Sequence, residues 1–293
     1  MKKLIAALSL LCLAVPALAQ VQSLSLQDVK RKYIVYTPST YAGAPAQKFP
    51  LVLNFAGGGM TAAEQMLYTQ MNRSADRHGY IVVYPQGIKN DWNVGFGMDY
   101  KGGSDDVGFV RNLLAALERQ YRVDPRRVYA TGLSRGGFFA LRLAAEMPER
   151  FAAVASVGAP MPEPVIAHHQ ERRPVGVMLV HGTADAVVAY DGKAGGYLSA
   201  RESAGYWAQV NNVDWTAPPA RQLPPAAGDA TSVSISEHGT PQHRVALVTV
   251  RDGGHTWPGA DPFNVGLPIG ATSKSVDINE LIWSFFRQHG KPD

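Results

Sequence analysis

Val128-Tyr-Ala-Thr-Gly-Leu-Ser-Arg-Gly-Gly-Phe-Phe-Ala140 is the stretch around which the chain is organised. A β-branched and aromatic run stops at Gly132, a serine follows two residues later, and Gly136 and Gly137 open a helix-forming segment. The pattern Gly132-x-Ser134-x-Gly136 predicts strand, sharp turn and helix, a nucleophile elbow that exposes the Ser134 hydroxyl. Glycine is needed on both sides because helix and strand pack so closely that a side chain would collide. Five residues alone read equally well as a serine capping a helix after a glycine turn. The neighbouring segments have to decide.

Upstream, Lys32-Tyr-Ile-Val-Tyr-Thr37 alternates bulky residues and is closed by Pro38, which predicts an edge strand. Phe49 to Phe55 is continuously apolar and ends at Gly57-Gly-Gly59, a buried strand followed by a tight loop. Thr61-x-x-Glu64 is a capping box starting a helix through about Arg77. A strand over Tyr80 to Tyr84 follows, then an aromatic loop from Gln86 to Gly103 with Trp92, Asn93, Phe96 and Tyr100. Ser104-Asp-Asp106 supplies the cap and acidic first turn of a helix with Val107, Val110, Leu113, Leu114 and Leu117 on one face.

Downstream, strands are expected over Phe151–Val157, Val175–Val180 and Arg244–Val250, with helices over Gly137–Met147, Tyr197–Val210 and Ile278–Gln288. The Pro-rich stretch with His168 and His169 reads as a surface loop, and adjacent histidines do not share a helix face for a metal. Asp214 to His243 is long for a connection and is expected to hold short strands or a lid. Strand and helix alternate throughout. The expected class is α/β, with a largely parallel central sheet and helices on both faces, in a single domain over residues 20–293.

Residues 1–19 are set apart from that domain. Lys2 and Lys3 precede an apolar run from Leu4 to Val15, and Ala17-Leu-Ala19 supplies small residues for cleavage after Ala19, the pattern of a secretory signal peptide. The run is too short to span a membrane, so the expected location is secreted or periplasmic. Cys12, the single cysteine, lies inside this segment, leaving the mature chain without a thiol nucleophile. Losing two lysines takes the formal charge from +4 to +2, and the remaining basic residues are scattered, so no nucleic-acid surface is expected.

A serine hydroxyl becomes nucleophilic when a base takes its proton, and the base must be oriented by an acid. In a parallel sheet, loops at the carboxyl ends of the strands meet in one crevice. Two such loops carry the needed residues: His181-Gly-Thr-Ala-Asp185 and Gly253-Gly-His255-Thr-Trp-Pro258. The order Ser134, Asp185, His255 is that of the α/β-hydrolase triad. Asp252 is the rival acid and His181 the rival base. The backbone N–H of Arg135, with one from Gly57 or Gly58, is expected to form the oxyanion hole. Trp257 and Trp92 are candidates to offer flat surfaces to an aromatic acyl group, with packing beneath the base as the other reading of Trp257. The chemistry calls for no cofactor and no metal.

Arg127 to Gly137, Tyr84-Pro-Gln-Gly87, Asp105-Asp-Val-Gly-Phe109, His181-Gly-Thr-x-Asp185 and Gly253-Gly-His255-Thr-Trp-Pro-Gly259 together resemble the secreted esterase family of polyhydroxybutyrate depolymerases and feruloyl esterases. The resemblance covers about residue 30 to the end. It implies the α/β-hydrolase fold, Ser134, Asp185 and His255 as the triad, and carboxylic esters as substrates. The expected substrate is a hydroxycinnamate ester of plant polysaccharide. Short polyhydroxyalkanoate esters and acetylated xylan are the alternatives, and a non-catalytic polymer-binding protein is a more distant one. Many relatives read Leu-His-Gly where this chain has Phe55-Ala-Gly57, and many carry cysteine pairs that it lacks.

Overall fold

The structure is a computed structural model, described here for residues 19–26, 29–216, 220–263 and 268–291. Residues 1–18 of the expected signal segment 1–19, Cys12 among them, lie outside the described residues, and Ala19 is the first residue of a strand. Seventeen elements follow in chain order: β1 (Ala19–Leu26), β2 (Val29–Tyr36), β3 (Phe49–Phe55), α1 (Ala62–Thr69), α2 (Met71–His78), β4 (Ile81–Pro85), α3 (Asp106–Gln120), β5 (Val123–Leu133), α4 (Arg135–Glu146), β6 (Ala153–Val157), α5 (Glu163–His168), β7 (Gly176–Gly182), α6 (Ala200–Val210), β8 (Arg221–Gln222), β9 (Ser232–His238), β10 (Val245–Arg251) and α7 (Ile278–Phe286).

The strands form one sheet in the order β1-β2-β4-β3-β5-β6-β7-β10-β9-β8. From β4 to β10 every neighbouring pair is parallel. Antiparallel pairs extend the sheet at both ends. All residues of β3, β4, β6 and β7 are buried, as a parallel sheet covered on both faces requires. Helices α3, α4 and α6 contribute to one core and α1, α2 and α7 to the other.

Three expectations, on the edge strand, the first long helix and the histidine loop, are corrected, and that of short strands within Asp214–His243 is met. The strand over Lys32–Thr37 is not an edge strand, because β1 pairs with β2 along its whole length, Ala19 opposite Tyr36. The helix expected from Thr61 to Arg77 keeps its capping box but breaks at Gln70, whose backbone is left-handed (φ 48°, ψ 29°). Asn279 Nδ2 donates to Thr69 O at 2.8 Å there, so a foreign side chain takes a carbonyl at the helix end. The Asp214–His243 stretch holds the short strands β8 and β9, which widen the sheet. The loop with the two histidines contains the six-residue α5; His168 Nδ1 pairs with Pro164 O and His169 Nδ1 with the Tyr206 hydroxyl.

The aromatic loop is anchored by a buried ion pair. Asp105 caps α3, accepting from Gly108 N at 2.8 Å, whereas Asp106 turns inward to Arg31 Nη1 at 2.5 Å. The other Asp106 oxygen accepts from Asn93 N (2.7 Å) and the Ser104 hydroxyl (2.8 Å). These bonds satisfy the buried carboxylate and hold Trp92 in place beneath the site.

Candidate active site

β5 ends at Leu133 and α4 starts at Arg135, which leaves Ser134 to make the turn alone at φ 53° and ψ −120°. A non-glycine residue at positive φ costs of order 1–3 kcal/mol and persists only where the surroundings impose it. Here they do. Ser134 N donates to Val157 O at 2.8 Å, and Ser134 O accepts from Phe138 N at 2.9 Å to close the first helical turn. A methyl group at Gly136 would lie 2.2 Å from Phe55 O, and one at Gly132 2.6 Å from the Gly136 carbonyl carbon. Both contacts are with backbone, so the elbow accepts only glycine at these places.

Asp185 sits just beyond β7 with its carboxylate wholly enclosed. Oδ1 accepts the amides of Val187 (2.9 Å) and Val188 (2.8 Å). Oδ2 faces two imidazoles, His255 Nδ1 at 2.7 Å and His181 Nε2 at 3.3 Å. Burial by itself would raise the carboxyl, but the hydrogen bonds from His181 and His255, the charge of His255 and the Val188 amide together hold it well below the usual carboxylate range. Asp185 is therefore an anion with Oδ2 against His255 Nδ1. With Nδ1–H donating to that oxygen, Nε2 of His255 is left as the acceptor.

The His255 loop is pinned as firmly. Gly254 N donates to Ala271 O at 2.8 Å, His255 N to Ile269 O at 2.5 Å and Trp257 N to the Tyr68 hydroxyl at 2.9 Å. Gly158 supplies the floor of the ring, since a methyl group there would come within 3.1 Å of it.

Ser134 and His255 open onto one cavity of about 320 Å³, lined also by Gly57, Gly58, Gly59, Met60, Glu64, Tyr68, Leu133, Val187, Phe263 and Ile269. The Gly57 loop runs beside the elbow: a methyl group at Gly57 would lie 3.7 Å from Ser134 Cβ, and one at Gly58 3.6 Å from Arg135 Cβ. Arg135 Nε binds Asp91 Oδ1 at 2.8 Å, tying the first turn of α4 to the aromatic loop.

The two tryptophans are placed elsewhere. Trp257 is fully buried and donates from Nε1 to Asn279 Oδ1 at 3.1 Å. Trp92 is equally buried, lies edge-on to Phe55 and donates from Nε1 to Ala56 O at 3.0 Å. Neither ring lines the cavity, which corrects the expectation that they face an acyl group. Trp92 instead braces the Ala56-Gly57 loop from below. The aromatic wall consists of Tyr68 and Phe263, stacked with centroids 4.8 Å apart. Tyr68 looked like an ordinary buried position of a helix, and Phe263 was a lone aromatic in a Pro- and Gly-rich loop, the one signal that pointed to it.

Neither rival residue lines the cavity that Ser134 and His255 share. His181 is buried, bonds Val188 O at 2.8 Å and leans on the back of Asp185. Asp252 is exposed, and its backbone N–H donates to the Thr183 hydroxyl. Among the described residues no cluster of His, Cys, Asp or Glu is arranged to hold a metal ion, and no helix is long and apolar enough to cross a membrane.

Comparison with known proteins identifies the family and the fold. Residues 25–246 match the family model described as "Putative esterase". The chain is 33% identical over 264 residues to "Putative esterase NocK" of Nocardia uniformis subsp. tsuyamanensis, covering 83% of this chain and 76% of that protein. It is 27% identical over 239 residues to "Feruloyl esterase B" of Piromyces equi, covering 77% of this chain but only 42% of the relative's length. The solved acetyl xylan esterase from Aspergillus awamori superposes over 92% of this chain and 99% of its own, with a TM-score of 0.64 at 15% identity, which shows a shared fold. The strand order, the elbow and the match over most of its length together establish that the chain belongs to the esterase family.

Proposed function

We propose that this esterase cleaves carboxylic esters through an acyl-enzyme on Ser134, and that its acyl group is a hydroxycinnamate carried by plant polysaccharide. The observation that carries the first part is the 2.7 Å contact between His255 Nδ1 and the enclosed Asp185 carboxylate, beside a cavity that also holds the strained Ser134. His255 Nε2 takes the serine proton as Oγ attacks the carbonyl, and the same nitrogen returns it to the departing alcohol. Water, deprotonated by His255, then attacks the acyl-enzyme carbonyl and releases the acid. The Arg135 amide and one from Gly57 or Gly58 stabilise the oxyanion; one such donor is typically worth about 3–4 kcal/mol.

The acyl assignment rests on the shape and chemistry of the cavity. Met60, Leu133, Val187 and Ile269 give it apolar walls, and the Tyr68–Phe263 stack gives it a flat aromatic side. The feruloyl activity printed for the Piromyces relative points the same way. Small acyl groups, including acetyl on xylan and short hydroxyalkanoates, form the second reading. Export after cleavage near Ala19 is part of this proposal and fits a polymeric substrate outside the cell.

The mature protein and its Ser134→Ala form are to be compared on p-nitrophenyl acetate and methyl ferulate. Loss of both activities on substitution is expected. Equal rates for the two proteins would remove the serine mechanism, and turnover of acetate without ferulate would transfer the assignment to small acyl groups.

A further inference from the structure

At the antiparallel end of the sheet, a groove of about 770 Å³ lies over β8, β9 and β10. Its floor is set by register. Ser234 pairs with Thr249 on one side and Gln222 on the other, Ser232 pairs with Arg251, and Ser236 with Leu247. Because side chains alternate along a strand, Ser232, Ser234 and Ser236 all face the groove, while Val233 and Ile235 are buried in the opposite core. Two aromatic residues flank this row. Tyr190 bonds Thr249 Oγ1 at 2.9 Å through its hydroxyl, and the half-buried Trp215 leans on His238 with ring centroids 4.8 Å apart.

We propose that this groove binds the saccharide chain bearing the ester, a role that rests on the polysaccharide-ester reading above. Serine and threonine hydroxyls both donate and accept, as sugar hydroxyls do, so a row of them matches a neutral glycan group for group. An aliphatic polyester offers acceptors only and would leave hydroxyl acceptors dry, at a cost in free energy. The charged residues of the lining cancel, Arg201 and Arg251 against Glu202 and Asp252, which disfavours a polyanion. The half-buried Trp215 offers ring surface to the apolar face of a pyranose ring, while the buried Tyr190 fixes the Thr249 hydroxyl beside it. The groove is a separate cavity from the one holding Ser134, but its end at Thr183 and Asp252 lies in the loops after β7 and β10 that carry Asp185 and His255. From Ser232 to His238 it runs about 20 Å along the strand, enough for several sugar units.

Affinity electrophoresis of the Ser134→Ala protein in gels containing arabinoxylan measures binding without hydrolysis. Retardation of this protein is expected, with the association constant reduced at least fivefold by adding either Trp215→Ala, which removes a wall, or Ser236→Arg, which fills the floor. Circular dichroism and thermal melting identify a variant that has lost its fold, and the other then carries the comparison. Absence of retardation, or equal retardation of a folded variant, overturns the proposal. So does preferential binding to polyhydroxybutyrate granules that the same substitutions abolish. Ferulate release is scored separately with active enzyme. Retardation without ferulate release leaves the groove in place and refutes the acyl assignment, whereas ferulate release from the methyl ester without polymer binding does the reverse.

Discussion

His255 Nδ1 lies 2.7 Å from Oδ2 of Asp185, an oxygen with no exposure to solvent. The Asp185 carboxylate is thus held by protein groups alone, and its replacement cannot be compensated by water. Asp185→Asn keeps the shape but offers an N–H or a weaker acceptor to the imidazole, favouring the wrong tautomer. The expected result is a fall in kcat of about 10³–10⁴ on p-nitrophenyl acetate with little change in KM.

His181 touches the same carboxylate from behind, at 3.3 Å, and is tied to Val188 O. Its loss removes a charge-assisted bond to Asp185 but leaves the base in place. His181→Asn is expected to lower kcat by roughly 10- to 100-fold, in line with a bond worth about 1.5–3 kcal/mol. His255→Ala should abolish turnover at the level of Ser134→Ala. Equal losses for His181→Asn and His255→Ala in single-turnover assays would contradict this division of roles.

The Tyr68–Phe263 stack predicts a substrate-dependent effect. Phe263→Ala removes one flat wall of the cavity without touching Ser134, Asp185 or His255. An aromatic contact is worth about 0.5–1.5 kcal/mol, so KM for methyl ferulate should rise roughly 2- to 12-fold relative to the change for p-nitrophenyl acetate. Parallel changes for both esters would assign Phe263 to packing.

Gly136→Ala tests the close approach of helix and strand. The added methyl group would meet Phe55 O at 2.2 Å and Ala56 O at 2.7 Å, both backbone atoms of β3 and the loop after it. Neither can rotate away. Denaturant unfolding should show a loss of at least about 2 kcal/mol, together with lost activity because the displaced loop carries Gly57 and Gly58.

Stability should also fall as the solution is acidified, before the carboxylates titrate. Burial is the leading cause that lowers His289 from its ordinary 6.5 to about 4, with Nδ1–H donating to Phe285 O. The folded state holds this imidazole neutral, whereas the unfolded chain takes up a proton near pH 6.5. Stability is therefore complete above 6.5 and declines as pH drops towards 4. His169, also lowered to about 4 and chiefly by burial, adds in the same direction. The melting temperature should drop by roughly 3 °C or more across that window, and His289→Gln should flatten the slope.

What could be read from the residues follows from how local each cause is. The strands β3, β7 and β10 were legible because burial on both faces makes them continuously apolar. The convergence of Ser134, Asp185 and His255 was legible because each follows a strand end, and parallel topology brings such ends together. β1 was not, since Ala19-Gln-Val-Gln-Ser-Leu-Ser-Leu26 is polar and mostly exposed, and its pairing with β2 leaves no apolar signature. The break at Gln70 was hidden because its cause, Asn279, lies 210 residues from the carbonyl it binds. The misplaced tryptophans share this origin. Trp257 follows the base closely in sequence, yet side-chain direction, set by α1 and α7, turns it into the core.

The positive φ at Ser134 carries an implication for descent as well as for chemistry. Glycine occupies such a conformation freely, and a serine does so only under compulsion from Gly132, Gly136 and the strands behind them. Selection for robustness alone would let that serine drift towards glycine, and the surrounding glycines would then relax towards alanine once the turn reopened. A descendant that retained the sheet but no longer cleaved esters would betray its history at this corner first, well before its core had changed.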